Sequence, residues 1–188
     1  LEWKMIQSKD DYKKYLEEDR IANEYHRKRP HLVGNEIWKF LIALRRYEYH
    51  KNCIPNGGVK KIICLIDKFR WHRLSVKTGI TIYPNTFEEG LTIWHYGCIV
   101  CNGTIRAGKR VTLQCGVNIA ENVTIGNDCY LAPGVKIGKN VIIPENCVVG
   151  YNSVVTRSLE VANATYIGSP AKLVKRLGYV KDGKRLKS

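Results

Sequence analysis

The chain has 188 residues and carries 31 Lys+Arg against 17 Asp+Glu, a net charge of +14. That length holds one good core, or a β-core with a helical cap. No apolar run approaches the ~20 residues of a helical membrane span and the N-terminus lacks a signal-peptide core, so no membrane insertion is expected. The charge is uneven: residues 1–79 hold 18 Lys+Arg against 10 Asp+Glu, residues 80–171 hold 6 against 6, and residues 172–188 hold 7 against 1. An excess at both ends can attract nucleic acid, membrane or a phosphorylated cofactor, and does not choose among them.

Seven cysteines, an odd count, point to a reducing compartment and a cytoplasmic location. Cys98 and Cys101 form a C-x-x-C with no second pair, so packing is preferred to zinc or redox work and no metal is expected. Met5 is the only methionine, so Leu1 to Lys4 read either as an appended segment or as native sequence.

Residues 6 to 77 read as helical. Ser8 followed by Asp11 resembles a capping box, with Tyr12, Tyr15, Leu16 and Ile21 as a modest stripe. Pro30 and Gly34 break this helix, and Asn35 caps a second carrying Ile37, Phe40, Leu41, Leu44 and Tyr47 on one face. Pro55-Asn56-Gly57-Gly58 is a turn. A third helix runs through Ile62, Ile63, Leu65, Ile66, Phe69 and Leu74, ending near Thr78-Gly79. Residues 1–79 thus form a helical cap.

From Ile93 to Val155 aliphatic residues return every six positions. One column is Leu113, Ile119, Ile125, Leu131, Ile137, Ile143, Val149, Val155; a second, two residues ahead, runs from Ile93 through Ile99 and Ile105 to Cys147 and Ser153. A small or bend-permitting residue mostly follows the first column: Ala120, Gly126, Ala132, Gly138, Pro144, Gly150. Neither a helix nor an alternating strand has that period. Short strands joined by tight turns do, three hexads making one triangular coil whose two columns face inward. Residues 80–174 form this coil, and 175–188 a short basic helix or tail, including Lys175, Arg176 and Lys187, that is expected to be mobile at its end.

Few residues suit chemistry. His26, His31, His50 and His72 sit in polar, cationic sequence that fits solvated roles. His95 differs, because Trp94-His95-Tyr96-Gly97 interrupts the hexad rhythm. Imidazole suits proton transfer, and a hydrogen-bonded surface corner is the equal alternative.

The hexads, the closing Gly168-Ser169-Pro170-Ala171-Lys172, and Ile80-Thr81-Ile82-Tyr83-Pro84 followed by His95 together resemble the serine acetyltransferase branch of the left-handed β-helix (hexapeptide-repeat) acyltransferases. The likeness covers nearly the whole chain. It implies a mainly β fold, a left-handed parallel β-helix with an N-terminal helical cap and a short basic tail, and an enzyme that uses acetyl-CoA. Carried over by position, His95 falls on the general base, and a backbone N–H at Ala120 or Glu121 on the oxyanion position. Asp19, of the pair Asp19-Arg20, falls on an acceptor-contacting aspartate. Pro133, Tyr151 and Gly168 fall on the cofactor wall, and Lys172 beside its phosphates. The family implies a homotrimer or a dimer of trimers with sites between coils.

Departures shift the expected acceptor. Thr81 stands where the branch has the aspartate that orients the base, and Trp94 where an aspartate precedes it. The loop that leaves the coil after the oxyanion position is missing, since Ala120-Glu121-Asn122 leads straight into Val123, and the chain ends in Ser188 rather than the branch's isoleucine. Glu88 or Glu89, just before the Gly90 corner, is a candidate to approach His95, with an ordinary solvated turn role as the alternative. Acetyl transfer to a sugar or surface-glycan hydroxyl, with Trp94 stacking on the sugar, is the leading expectation. Serine O-acetyltransferase of cysteine biosynthesis is the alternative. A non-catalytic basic β-helix binding nucleic acid is a third, disfavoured because no recognition module is present, so no nucleic-acid partner is expected.

Overall fold

The computed structural model describes residues 3–54, 57–181 and 184–185. Its largest part is the expected left-handed parallel β-helix, of about five turns. Val100 pairs with Asn118, Asn118 with Lys136 and Lys136 with Val154, a parallel step of 18 residues, three hexads to the turn. Three ladders form the faces of the prism: residues 80–81, 99–101, 118–119, 136–137 and 154–155; residues 106–107, 124–125 and 142–143; and residues 92–93, 112–113, 130–131, 148–149 and 165–167. Both aliphatic columns point inward and are buried, with at most 3% of any member exposed. Each large aliphatic in the stack contributes about 1.5–3 kcal/mol of burial.

The small residues after the first column serve a different purpose from the bending expected of them. A Cβ on Gly126 would stand 2.4 Å from the backbone nitrogen of Glu145, and one on Gly150 would stand 2.7 Å from Ile167 Cγ1. They are small because the next coil passes that close. The bends occur two residues later, where Asn122, Asp128, Asn140, Asn146 and Asn152 take φ between 53° and 57°. Asn and Asp tolerate this left-handed conformation better than other side chains.

Three helices cover the first coil: α1 (Lys9–Ala22), α2 (Glu36–Cys53) and α3 (Gly58–Thr78). Ser8 Oγ accepts from the Asp11 N–H at 3.0 Å, as its position suggested, and the Asp11 carboxylate caps Gln7 N–H rather than Ser8. Asn35 does not cap α2. It takes a left-handed conformation and accepts from His31 N–H instead.

The face expected of α3 is reversed. Ile62, Leu65, Ile66 and Phe69 are at least half exposed, while Asp67, Trp71, Ser75 and Thr78 are buried. The first coil selects this face through polar contacts: Trp71 Nε1 donates to the Ile82 carbonyl at 3.1 Å and Ser75 Oγ to that of Ile80 at 2.6 Å. His50 also departs from a solvated role, bonding the buried Asp67.

The far end of the prism is closed by residues 172–175, which pair antiparallel with 165–167. The segment after Lys175 then returns along the coil instead of hanging free. Tyr179 is buried against Tyr130, and Asn146 exchanges two hydrogen bonds with Val180. Lys187, Leu1 and Glu2, like Pro55 and Asn56 of the expected turn, lie outside the described residues.

Candidate active site

One edge of the prism joins the ladder containing Thr92 to the ladder containing Val100. In successive coils it is crossed by residues 94–98, 114–117, 132–135 and 150–153, and the turn 168–171, which sends the chain back antiparallel along the Thr92 ladder, sits against the same edge beside Val154. His95, Pro133, Tyr151 and Gly168 therefore lie along one edge, and Lys172 opens the strand that follows it. Sequence positions 77 residues apart become one strip because of the 18-residue step.

The corner carrying His95 is unlike the others. Thr92 to Val100 takes eight residues where Thr112 to Asn118 of the next coil takes six. The extra two push the corner outward. His95 is exposed, flanked by Trp94 at 48% and Tyr96 at 63% exposure. Gly97 and Cys98 close the bulge with φ of 106° and 36°.

Both flanks of this corner are held by helices. Before it, Asn23, which ends α1, donates to the Leu91 carbonyl at 2.8 Å and accepts from Ile93 N–H at 2.9 Å. After it, Gly97 N–H donates to the Thr78 carbonyl at 2.9 Å and Ile99 N–H to that of Gly79 at 3.1 Å, at the end of α3. No local sequence pattern advertises Asn23, Thr78 or Gly79 as site residues; only the packing of the cap on the coil does.

Asp19 is not placed to meet an acceptor. It is fully buried, and its carboxylate accepts from Arg45 Nε at 2.7 Å and from the backbone N–H groups of Gly90 and Leu91 at 2.8 and 2.9 Å. Four donors, from Arg45, Gly90 and Leu91, hold it in a structural role, so it positions the strand that leads to His95. Neither glutamate supplies the missing orienting carboxylate. Glu88 accepts from Lys4 N–H, and Glu89 pairs with Lys14 and Lys109. Thr81 pairs with Val100 in the ladder.

Ala120 and Glu121 stand on a different edge, between the ladders of Asn118 and Thr124. The Ala120 N–H is committed to the Ile137 carbonyl at 3.0 Å, and so is closed to an oxyanion. A better placed donor is Gly116, on the corner directly beside that of His95. At the two equivalent positions Gly134 N–H donates to Cys115 and Asn152 N–H to Pro133, one coil back. The corresponding bond from Gly116 N–H into the His95 corner is absent among the described residues, as expected where the bulge lifts the carbonyls out of register.

Tyr151 is 64% exposed, Pro133 and Gly168 are partly exposed, and Lys172 is exposed. An apolar, accessible strip ending in a cation fits the pantetheine arm and phosphates of a coenzyme A thioester. The C-x-x-C does not act as a unit: Cys98 is exposed, whereas Cys101 is buried and burial holds its thiol well above the usual range. Among the described residues no group of three or more His, Cys, Asp or Glu could hold a metal ion.

Residues 108–139 and 122–157 match the family described as bacterial transferase hexapeptide (six repeats). No curated protein matches the chain by sequence. Among solved structures, serine acetyltransferase from Brucella abortus strain S19 superposes with a TM-score of 0.68 at 20% identity, over 90% of this chain and 71% of that one. A serine acetyltransferase in complex with CoA gives 0.67 at 20% identity, over 88% and 71%. The enzyme from Neisseria gonorrhoeae gives 0.67 at 22%, over 95% and 67%. Residues 108–157 of the coil thus match bacterial transferase hexapeptide repeats, and most of the chain, cap included, shares its fold with solved serine acetyltransferases.

Proposed function

We propose that this chain, a hexapeptide-repeat protein on the serine acetyltransferase fold, is an O-acetyltransferase that moves acetyl from acetyl-CoA directly to a hydroxyl of a sugar or glycan precursor. The observation that carries the reading is the bulged corner. It presents His95 to solvent between two exposed aromatics, at the head of the strip formed by Pro133, Tyr151 and Gly168. His95 takes the proton of the acceptor hydroxyl as its oxygen attacks the thioester carbon; the C–O bond forms, the C–S bond breaks, and the proton passes to the leaving thiolate. Gly116 N–H is our assignment for the group that stabilises the developing oxyanion.

Two features favour a sugar. Trp94 and Tyr96 offer apolar faces beside the base, and the turn at 120–123 is tight, with Asn122 left-handed and Thr124 already in the ladder, so in the trimer proposed below no loop from this edge of the neighbouring subunit overhangs the site to grip a small amino acid. Serine is the second reading, favoured by the solved structures that share the fold. We further propose a homotrimer, which would bring the Glu121 edge of one subunit toward the His95 edge of the next, or a dimer of such trimers, acting in the cytoplasm. No helix among the described residues is long and apolar enough to cross a membrane.

The test is thiol release from acetyl-CoA with L-serine, nucleotide-sugars and oligosaccharides offered in parallel. Turnover of a sugar acceptor that vanishes in His95→Ala, with CoA still bound, is the expected result. Robust turnover of serine alone overturns the sugar assignment, and full activity in His95→Ala overturns the catalytic one.

A further inference from the structure

The helical cap contains a cavity of about 950 Å³ between α1, α2, α3 and the segment 28–30, which shares no lining residue with the strip proposed for acetyl-CoA. Its floor is apolar: Leu16, Trp38, Ile42, Ala43 and Leu74. Its wall is cationic. Lys28, Arg29 and Arg70 line it with no ion pair among the described residues, and Arg20 and Arg46 line it beside them. The two carboxylates of the lining are already answered, Glu17 by Arg20 at 2.7 Å and Asp67 by Arg46 at 3.0 Å. That leaves a net positive field over a hydrocarbon-lined hollow, at the upper end of the ~300–1,000 Å³ typical of small-molecule sites.

We propose that this cavity binds an amphipathic phosphate: a hydrocarbon chain on the floor, with its phosphate held by Lys28, Arg29 and Arg70. Each part of the ligand follows from a part of the wall. An uncharged chain would leave three unpaired cations facing it, and a small hydrophilic anion would leave the partly exposed Leu16, Ile42 and Leu74 wet. A phosphate, with several charged oxygens, satisfies more than one guanidinium at once, which a single carboxylate does less well. The site also lies close to the reaction edge. Trp38 on its floor stacks on Tyr25 with ring centroids 5.5 Å apart, and two residues earlier Asn23 grips the strand that leads to His95.

The site is tested without reference to acetyl transfer, by titrating the full chain with dodecyl phosphate below its micelle concentration, against dodecyl maltoside and inorganic phosphate. Dodecyl phosphate is expected to bind at least about tenfold more tightly than either, one well-made ion pair being worth about that factor. The exposed double variant Arg29→Glu/Arg70→Glu, which leaves the folded core untouched, is expected to lose this preference, and Ile42→Trp, which fills the cavity, to weaken binding of the chain. Equal affinity for dodecyl phosphate and inorganic phosphate, or unchanged affinity in the charge-reversed variant, overturns the proposal. So does sedimentation with phosphatidic acid vesicles, but not with phosphatidylcholine vesicles, by a chain that ignores the free amphiphile. That result would assign the charge to a surface attachment instead.

Discussion

Arg45 Nε donates to Asp19 Oδ2 at 2.7 Å with both side chains fully buried, and the same guanidinium reaches Glu48, the Phe87 carbonyl and the Glu88 carbonyl. Asp19 in turn holds Gly90 and Leu91, and Glu48 holds Asn85 N–H at 2.7 Å. One buried cation therefore ties α1 and α2 to the loop of the first coil. Removing it strands two buried carboxylates, which costs about 3–5 kcal/mol. Arg45→Met is expected to lower the unfolding free energy from urea titration by that amount. Asp19→Asn, which keeps shape and one acceptor, is expected to cost less and to lower kcat more than it raises KM.

The base assignment makes a kinetic prediction. His95→Ala should reduce kcat by about 10²–10⁴-fold, the range for loss of a general base, with the affinity for CoA unchanged. Equilibrium binding of CoA, measured by calorimetry beside the rate, separates this from misfolding.

If an aromatic platform receives the acceptor, Trp94→Ala and Tyr96→Ala should raise KM for a sugar acceptor and leave that for acetyl-CoA in place. Tyr151→Ala should do the reverse, because Tyr151 lies two coils further along the edge from the next coil's corner at Gly116. A paired KM measurement on the three variants checks the polarity of the strip.

Close approach of coils is tested at Gly126. A methyl group there would meet the Glu145 backbone at 2.4 Å, and backbone cannot rotate away. Gly126→Ala should cost about 1–3 kcal/mol in thermal or urea unfolding, the usual range for overpacking. Gly138→Ala, whose added Cβ would sit 3.3 Å from the Val155 carbonyl, should be milder.

The six-residue rhythm revealed the coil because period is a property of the chain itself, and the same rhythm exposed the corner at Trp94–Gly97 as its break. What it left hidden depends on partners far away in sequence. Ile62, Ile66 and Phe69 looked like a core face, yet the side of α3 that packs is decided by where Trp71 and Ser75 find the carbonyls of the first coil. Gly126 was legible as a turn residue, but that it makes room while the bend falls at positions such as Asn122 and Asp128 depends on the neighbouring coil. Asp19 was visible as a cap aspartate, and only Arg45, 26 residues on, shows that it is structural. Gly116 carries no motif at all; its claim rests on a ladder bond present in two coils and absent in one.

The corner that carries His95 is held at Leu91 and Ile93 by the end of one helix and at Gly97 and Ile99 by the end of another. The β-coil supplies the strip proposed for the cofactor, but the helical cap sets the position of His95, the proposed base. Changes in the helices, none of them near a reacting atom, can therefore retune the rate or choice of acceptor while the cofactor strip stays as it is.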